Sequence, residues 1–350
     1  MTYRAPMKVS GALDGYQFEE VTPLLGREYP DLQLSEIVKD DAKIRDLAIT
    51  ASERGVLLFR NQDINMADFK VLMQKCGELT GKPKTSRLHK DEFASENNTH
   101  LGIPEALDPE IYAVSSINNE KIFDNFLDPR DKKFASRGWH SDESFENVPA
   151  DYTGFKMIKT PKSGGDTVWA SAYEAYDRLS EPWQKFAETL TASHGDPTFC
   201  SYLESKGLKF RSEERGSPEN VGTTLRAVHP VVQTNPVTGW KALYGLGYQV
   251  QFGGINDVTD YESQLIQAYF LRIITDNHDL QIRHKWSPND VAIWDNRSVF
   301  HNITSDFVGE RLALRAVSIG NKPYIDPNSV SRKTALNAEK VSSKAPLNGS

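Results

Sequence analysis

The chain contains only two cysteines, Cys76 and Cys200, among its 350 residues. They lie far apart in the sequence, and no CxxC pair is present. This pattern argues against a disulfide scaffold and against a thiolate zinc site. We expect both cysteines to be reduced thiols.

The sequence also lacks long apolar runs and an excess of positive charge. No stretch approaches the length of a membrane span. The net charge is −7, with Lys and Arg scattered along the chain, so we expect neither nucleic-acid nor membrane partners. The first residues lack the apolar core of a signal peptide, and the final LNGS is no targeting address. These features predict a cytoplasmic protein.

The composition is that of a globular protein, with 38% hydrophobic and 25% charged residues. We predict an irregular segment over 1–30, a single domain over 31–324 and a disordered tail over 325–350 that has little to bury. Within the domain, residues 80–138 are polar and broken, which is typical of a lid or substrate-binding loop.

Hydrophobic periodicity predicts helices flanking a largely β core. Helices are expected over 41–54 and 65–76, with a buried strand over 55–62 between them. Two more are expected over 171–190, bent or restarted at Pro182, and over 257–276. After residue 150 short alternating segments are separated by Pro, Gly and Asn turns, the pattern of an antiparallel sandwich or barrel. These segments are DYTGFKMI, DTVWA, LRAVHPVV, KALYGL, LQIRHKW, DVAIWDN and RLALRAVSIG.

One pair of potential metal ligands stands out in the sequence WHSDESF. His140 and Asp142 are two residues apart, and in a strand such residues point to the same face. An imidazole and a carboxylate could therefore hold one metal ion. A third ligand must come from elsewhere, and His301 is a candidate. Two histidines and one carboxylate are typical of non-haem Fe(II) oxygenases, because they leave coordination positions open.

Spacing alone does not decide this triad. His140 could pair with a backbone group, and Asp142 could cap the next segment. His229, in AVHPVV, is interpreted as a packed core histidine. The remaining histidines lie in polar or helical surroundings without a carboxylate at ligand spacing; they are His89, His100, His194, His278 and His284.

Two arginines, Arg311 and Arg315, lie four residues apart in the apolar stretch GERLALRAVSIG. On a strand they would share one face, and buried arginines are uncommon without an anionic partner. A guanidinium matches a carboxylate with two parallel hydrogen bonds. The two residues could hold anionic groups of a cosubstrate and of a substrate, or form structural salt bridges.

Taken together, these stretches resemble the taurine/2-oxoglutarate dioxygenase (TauD/TfdA-type) family, and a fungal-type member in particular. The resemblance covers about residues 35–322. It rests on ordered stretches: GVLLFRNQ, CGELTGKP, GWHSDESFENVPADYTGFKMIKTPKSGGDTVWAS, HPVVQTNPVTGWKALY and WSPNDVAIWDNRSVFHNITSDFVGERLALRAVSIGNKPY.

The resemblance implies a double-stranded β-helix, or jelly roll, flanked by helices. His140, Asp142 and His301 match the family's ligands to Fe(II). Arg311 and Thr167, in GGDT, match the residues that bind the distal carboxylate of the cosubstrate 2-oxoglutarate. Thr167 could equally be a strand hydroxyl without a ligand.

The substrate side is less transferable. Arg315 matches an arginine that faces the sulfonate in the taurine enzyme. Lys82 lies where that enzyme has a substrate-contacting histidine, so it is either a substrate contact or a solvated loop lysine.

The expected function is Fe(II)- and 2-oxoglutarate-dependent oxidation of a small organic substrate by O₂, with release of succinate and CO₂. Arg315 favours an anionic substrate, such as a sulfonate, sulfate ester or carboxylate. The alternatives are a tailoring oxygenase or oxidase of secondary metabolism, with or without 2-oxoglutarate, and a non-enzymatic jelly-roll binding protein. The resemblance also allows a homo-oligomer.

Overall fold

The fold is described from a computed structural model that covers residues 5–122, 134–195 and 198–344. Part of the predicted lid, residues 123–133, lies outside the described residues. The elements combine β-sheets with flanking helices, as the sequence predicts. In the described residues no helix is long and apolar enough to cross a membrane.

The strands are distributed along the whole chain. They are β1 (Glu19–Glu20), β2 (Arg27–Tyr29), β3 (Val56–Phe59), β4 (Tyr112–Ser115), β5 (Ala150–Lys159), β6 (Thr167–Ser171), β7 (Thr191–Gly195), β8 (Arg226–Pro230), β9 (Val232–Thr234), β10 (Trp240–Leu243), β11 (Gln281–His284), β12 (Val291–Asp295), β13 (Val299–Ile303), β14 (Leu312–Ile319) and β15 (Val330–Ser331).

Helices alternate with these strands along the chain. They are α1 (Leu34–Ile37), α2 (Asp41–Arg54), α3 (Met66–Leu79), α4 (Ser116–Lys121), α5 (Ala172–Asp177), α6 (Glu181–Ala187), α7 (Phe199–Ser205), α8 (Tyr248–Gly253), α9 (Asp260–Asp276) and α10 (Arg332–Lys344). Short 3-10 turns add Ser95–Leu101, Pro104–Leu107, Ala135–Gly138 and His278–Leu280.

The largest sheet has seven strands in the order β1-β2-β3-β12-β5-β14-β4. Its central strands pair antiparallel, as expected, whereas β2 runs parallel to β3. The prediction of an irregular segment over 1–30 needs one correction, because β1 and β2 within it form one edge of this sheet. Strands of two and three residues are too short to show an alternating pattern.

A second sheet, β11-β6-β13, lies against the inner side of the large sheet. The space between them is filled mainly by aromatic and aliphatic side chains from both, including Phe155, Trp169, Trp286 and Trp294. Trp169 and Trp294 are almost fully buried, with ring centroids 5.7 Å apart. This core fixes the distance between the strands that carry the candidate site.

Helices α2 and α3 pack on the outer side of the large sheet. The bounds of α2 agree with the prediction, since Asp40 caps its first turn by accepting from the amides of Ala42 and Lys43. Gly55, with φ at 78°, ends it in a conformation that favours glycine. The apolar stripe of α3, which includes Phe69 and Met73, is buried as expected.

The predicted helix over 171–190 is divided into α5 and α6, and Pro182 lies in the first turn of α6. This confirms the expected restart at the proline. Helix α9 begins at Asp260 rather than 257, because Thr259 and Glu262 form a capping box there.

The expectation of a disordered tail over 325–350 is wrong for the residues described. Strand β15 pairs with β10, and α10 follows it. Arg332 donates to Glu174 at 3.0 Å and its guanidinium lies over the ring of Trp240. The polar composition of this helix gives no sign of these contacts, which come from the folded body of the protein.

Candidate metal and cosubstrate site

His140 and His301 face each other across an isolated antiparallel bridge. The amide of His140 donates to the His301 carbonyl at 3.0 Å, and the amide of His301 donates back at 2.9 Å. Residues paired in this way project their side chains to the same face. The two ring centroids are consequently only 4.1 Å apart.

Asp142 completes the predicted triad, but from a different local structure than the predicted strand. It lies in a turn after His140 rather than on a strand. Its Oδ1 is nevertheless 3.8 Å from His140 Nε2 and 3.6 Å from His301 Nε2. The three ligand atoms all lie within 4.8 Å of one another. Such distances allow one ion to contact all three at ordinary bond lengths of about 2.0–2.2 Å.

A hydrogen-bond network fixes the Asp142 carboxylate. Thr153 Oγ1 donates to Asp142 Oδ2 at 2.8 Å and accepts from Asn296 Nδ2 at 2.8 Å. Asn296 Oδ1 accepts from the Asp142 amide and from Trp294 Nε1. The IWDNR stretch therefore positions a ligand that lies far away in the sequence. No local sequence pattern indicates that Asn296 and Thr153 position this carboxylate.

Both histidines are suited to offer a nitrogen lone pair. His140 Nδ1 lies 2.8 Å from the Gly138 carbonyl, so Nδ1 donates there and Nε2 is left as the acceptor. Burial, with a contribution from His140, lowers the pKa of His301 to about 3. His301 is therefore neutral at physiological pH.

Asp142 stays ionised although it is only 2% exposed. Burial favours its neutral form, but the Arg315 guanidinium and the hydrogen bond from Thr153 help to lower its pKa to about 2. The triad therefore combines two imidazoles, of which His301 is neutral, with one ionised carboxylate.

Thr167 and Arg311 lie together on the inner side of the strands. Thr167 Oγ1 accepts from Trp286 Nε1 at 2.9 Å, and Trp286 packs on Phe155 with ring centroids 5.1 Å apart. The Arg311 guanidinium lies over the same Phe155 ring. The structure thus brings the two predicted cosubstrate residues to one aromatic-walled region.

Arg311 is a buried cation with spare hydrogen-bond donors. It is 3% exposed, and its Nε donates to the Gly165 carbonyl at 2.8 Å. Among the described residues, no hydrogen bond or salt bridge to its two terminal nitrogens is found. Burial lowers its pKa to about 10, so it remains charged at neutral pH. A buried guanidinium in this state calls for an anionic ligand.

Arg315 differs from Arg311, because its guanidinium already binds two carboxylates. Nη1 donates to Asp142 Oδ1, and Nη2 donates to Glu143 Oε1 at 2.8 Å. Burial lowers its pKa, but Asp142 and Glu143 raise it well beyond the ordinary value. The structural salt bridge considered for this residue is what the structure shows. An anionic substrate group at Arg315 stays a prediction of the sequence.

Lys82 is the predicted site residue that the structure places elsewhere. Its Nζ donates to Gln74 Oε1 at 2.9 Å and to Ser318 Oγ at 2.8 Å. Gln74 lies on α3, which packs on the outer side of the large sheet, whereas Arg315 faces inward. At 9% exposure, Lys82 is not a solvated loop lysine, and its hydrogen bonds are to Gln74 and Ser318. Its expected contact with substrate is corrected accordingly.

A second polar cluster, which no sequence pattern predicts, lies beside the triad. His89, Glu92 and Glu143 are all buried and offer ligand-type atoms within 4.8 Å of one another. The segment 80–138 looks polar in sequence, and only the tertiary structure shows that part of it is interior. By contrast, His229 is the packed core histidine that was expected, near the Ser144 and Glu146 carbonyls.

Comparison with known proteins decides the family. The family model "Taurine catabolism dioxygenase TauD, TfdA family" matches residues 17–317. The chain belongs to this family.

Curated relatives span nearly the whole chain. One is "Alpha-ketoglutarate-dependent dioxygenase btcD" of Neocamarosporium betae, 43% identical over 95% of this chain and 98% of the relative. Another is the "Alpha-ketoglutarate-dependent sulfonate dioxygenase" of Saccharomyces cerevisiae, 32% identical over 88% of this chain and 68% of the relative. Fungal relatives with dioxygenase names agree with the resemblance found in the sequence.

A solved structure shows the same fold. It is the "Putative Alpha-ketoglutarate-dependent Taurine Dioxygenase from Burkholderia xenovorans", with a TM-score of 0.66 and 21% identity. It covers 90% of this chain, and this chain covers 93% of it.

Proposed function

We propose that this TauD/TfdA-family dioxygenase oxidises a C–H bond of a small organic substrate. Fe(II), 2-oxoglutarate and O₂ are the cofactor and cosubstrates, and succinate and CO₂ are released. The observation that carries the proposal is the convergence of His140, Asp142 and His301 on one point. We also propose that the two facing sheets form the jelly-roll core implied by the resemblance.

The residues present fit an iron ion. Two imidazoles and a carboxylate would supply three ligands and leave the remaining positions for cosubstrate and O₂. Bound iron would supply the activation of O₂ and the attack on the C–H bond. The chain's own task is to hold these three side chains in place, through the backbone bridge of the histidines and through Thr153 and Asn296.

The Arg311 region fits the distal carboxylate of 2-oxoglutarate. A guanidinium with unused terminal nitrogens can bind a carboxylate through two parallel hydrogen bonds. Thr167 Oγ1 accepts from Trp286, so its own proton is available for the same carboxylate. Trp286 and Phe155 line this region, and an apolar wall would strengthen an ion pair formed there.

The charge of the substrate is less well supported than the type of reaction. One relative is named a sulfonate dioxygenase, and an anionic substrate remains a prediction of the sequence. The occupied guanidinium of Arg315 weighs against it. Cytoplasmic location and self-association stay predictions.

The first test is spectroscopic. The protein is purified without O₂, and Fe(II) and 2-oxoglutarate are added while the weak visible metal-to-ligand band is recorded. We expect the band in wild type and in His278→Ala, which removes an exposed histidine, but not in His140→Ala. Absence of the band in wild type at saturating cosubstrate, or its survival in His140→Ala, contradicts the proposal.

The second test separates this enzyme from an oxidase that uses no 2-oxoglutarate. Succinate formed per substrate consumed is measured. A ratio near one supports the proposal, and product formation without succinate favours the oxidase.

A further inference from the structure

The buried cluster beside the triad contains more carboxylates than cations. It consists of Asp91, Glu92, Glu143 and Glu146 together with His89, Arg215 and Arg315. Glu146 is neutralised by Arg215, through bonds of 2.5 and 3.1 Å, and contacts His89 at 3.2 Å. Glu143 is bound by Arg315, which also serves Asp142. Asp91 and Glu92 are left without a bound cation among the described residues.

Two oxygens in this cluster lack hydrogen-bond partners. Glu92 is 8% exposed and Asp91 is 3% exposed. Across the described residues, Glu92 Oε2 and Asp91 Oδ2 are buried and accept no hydrogen bond. An unpaired buried carboxylate oxygen is costly, so a partner is expected to satisfy it.

The cluster is connected to the triad through one side chain. Arg315 joins them, since its guanidinium bonds to the metal-ligand candidate Asp142 on one side and to Glu143 on the other. Glu143 in turn lies within 4.8 Å of Glu92, ligand atom to ligand atom. Glu143 also occupies the Arg315 guanidinium, which a substrate anion would need to bind.

We propose that Asp91, Glu92 and Glu143 form a subsite for a positively charged nitrogen, so that the substrate carries an ammonium group close to the oxidised carbon. The inference rests on the proposed function, because it places the ligand beside the iron site. An ammonium offers several N–H donors to the unpaired oxygens. Its positive charge also favours the ionised form of Glu92, whose pKa burial raises to about 7.

A second divalent metal fits the cluster less well than an ammonium. The Arg315 Nη2 lies 2.8 Å from Glu143 Oε1, so a dication there would be next to a guanidinium. A singly charged group meets less repulsion.

The test uses binding to the enzyme loaded with Mn(II) and 2-oxoglutarate, measured by calorimetry without turnover. The probes are three matched series of butyl, hexyl and octyl compounds: primary amines, sulfonates and alcohols at neutral pH. We expect at least one amine to bind tenfold or more tightly than the sulfonate and the alcohol of the same length. Glu92→Gln should remove this preference, and Asp91→Asn should reduce it.

The control is Glu105→Gln, which changes an exposed carboxyl in the same segment and should keep the preference. Tighter binding of the sulfonates, no binding of any amine, or an unchanged preference in Glu92→Gln and Asp91→Asn would overturn the inference. Binding of a second Mn(II) that Glu92→Gln abolishes, without amine preference, would also overturn it in favour of a metal site. The affinity for 2-oxoglutarate is recorded in parallel. If wild type binds no 2-oxoglutarate the proposed function fails, whereas normal binding without amine preference refutes only this inference.

Discussion

His140 and His301 donate backbone hydrogen bonds to each other, and this pairing brings their rings to one side. The spacing of two metal ligands is thus set by main-chain geometry. Asp142 depends instead on side chains, namely Thr153 and Asn296. This difference allows the ligand positions to be perturbed separately.

Thr153→Val should weaken metal binding without removing a ligand. The substitution keeps the side-chain shape but leaves Asp142 Oδ2 without its donor. Loss of such a supporting hydrogen bond typically costs 10–100-fold in metal affinity. Titration with Fe(II) or Mn(II) measures the change. Thr189→Val, which alters an exposed hydroxyl, serves as the control, and equal affinities in all three proteins would contradict the role given to Thr153.

Arg311→Lys should raise the 2-oxoglutarate concentration needed for half-maximal activity by roughly tenfold or more. Lysine keeps the charge but cannot form two parallel hydrogen bonds to a carboxylate, and one good pair of such bonds contributes about 1–3 kcal/mol. Steady-state kinetics with varied 2-oxoglutarate checks this. The exposed Arg272→Lys, on α9, should behave like wild type. A normal requirement in Arg311→Lys would remove Arg311 from the cosubstrate site.

Lys82→Met should reduce stability rather than alter the kinetics. Two hydrogen bonds to a charged, buried group are lost, and each such bond contributes about 1.5–3 kcal/mol. Urea denaturation should show a lower midpoint, while the KM values for substrate and 2-oxoglutarate stay unchanged. A changed substrate KM at unchanged stability would restore the contact that the sequence suggested.

The buried His229 should make the fold sensitive to acid. Burial lowers its pKa to about 4, whereas the unfolded chain has a value of about 6.5. Below pH 6.5 the unfolded state therefore takes up a proton that the folded state does not. The stability linked to this residue is fully present above pH 6.5 and is lost as the pH falls towards 4.

Between pH 7.5 and pH 5 this loss amounts to about 2 kcal/mol in the free energy of unfolding. His229→Gln should lose correspondingly less than wild type over the same range, as measured by urea denaturation at both pH values. His100→Gln, at an exposed position, should follow wild type. Parallel pH dependence in wild type and His229→Gln would show that the histidine does not contribute.

The local sequence pattern was sufficient to predict α2, α3 and most central strands, because apolar periodicity and capping residues act over a few positions. It failed for β1, β2, β15 and α10, whose residues gain their structure from neighbours distant in sequence. It also missed β13, the strand that carries His301, because VFHNI combines apolar and polar residues without clear alternation.

The sequence by itself determined the type of chemistry. The residues that could bind a metal and a dicarboxylate were present in ordered motifs, and their identities are enough to name the candidates. Only the tertiary structure decided which charges meet. It paired Arg315 with Asp142 and Glu143, moved Lys82 to the other side of the sheet, and buried Asp91 and Glu92 beside the triad. Charge pairing and burial depend on distances between segments far apart in the chain, and no local pattern records those distances.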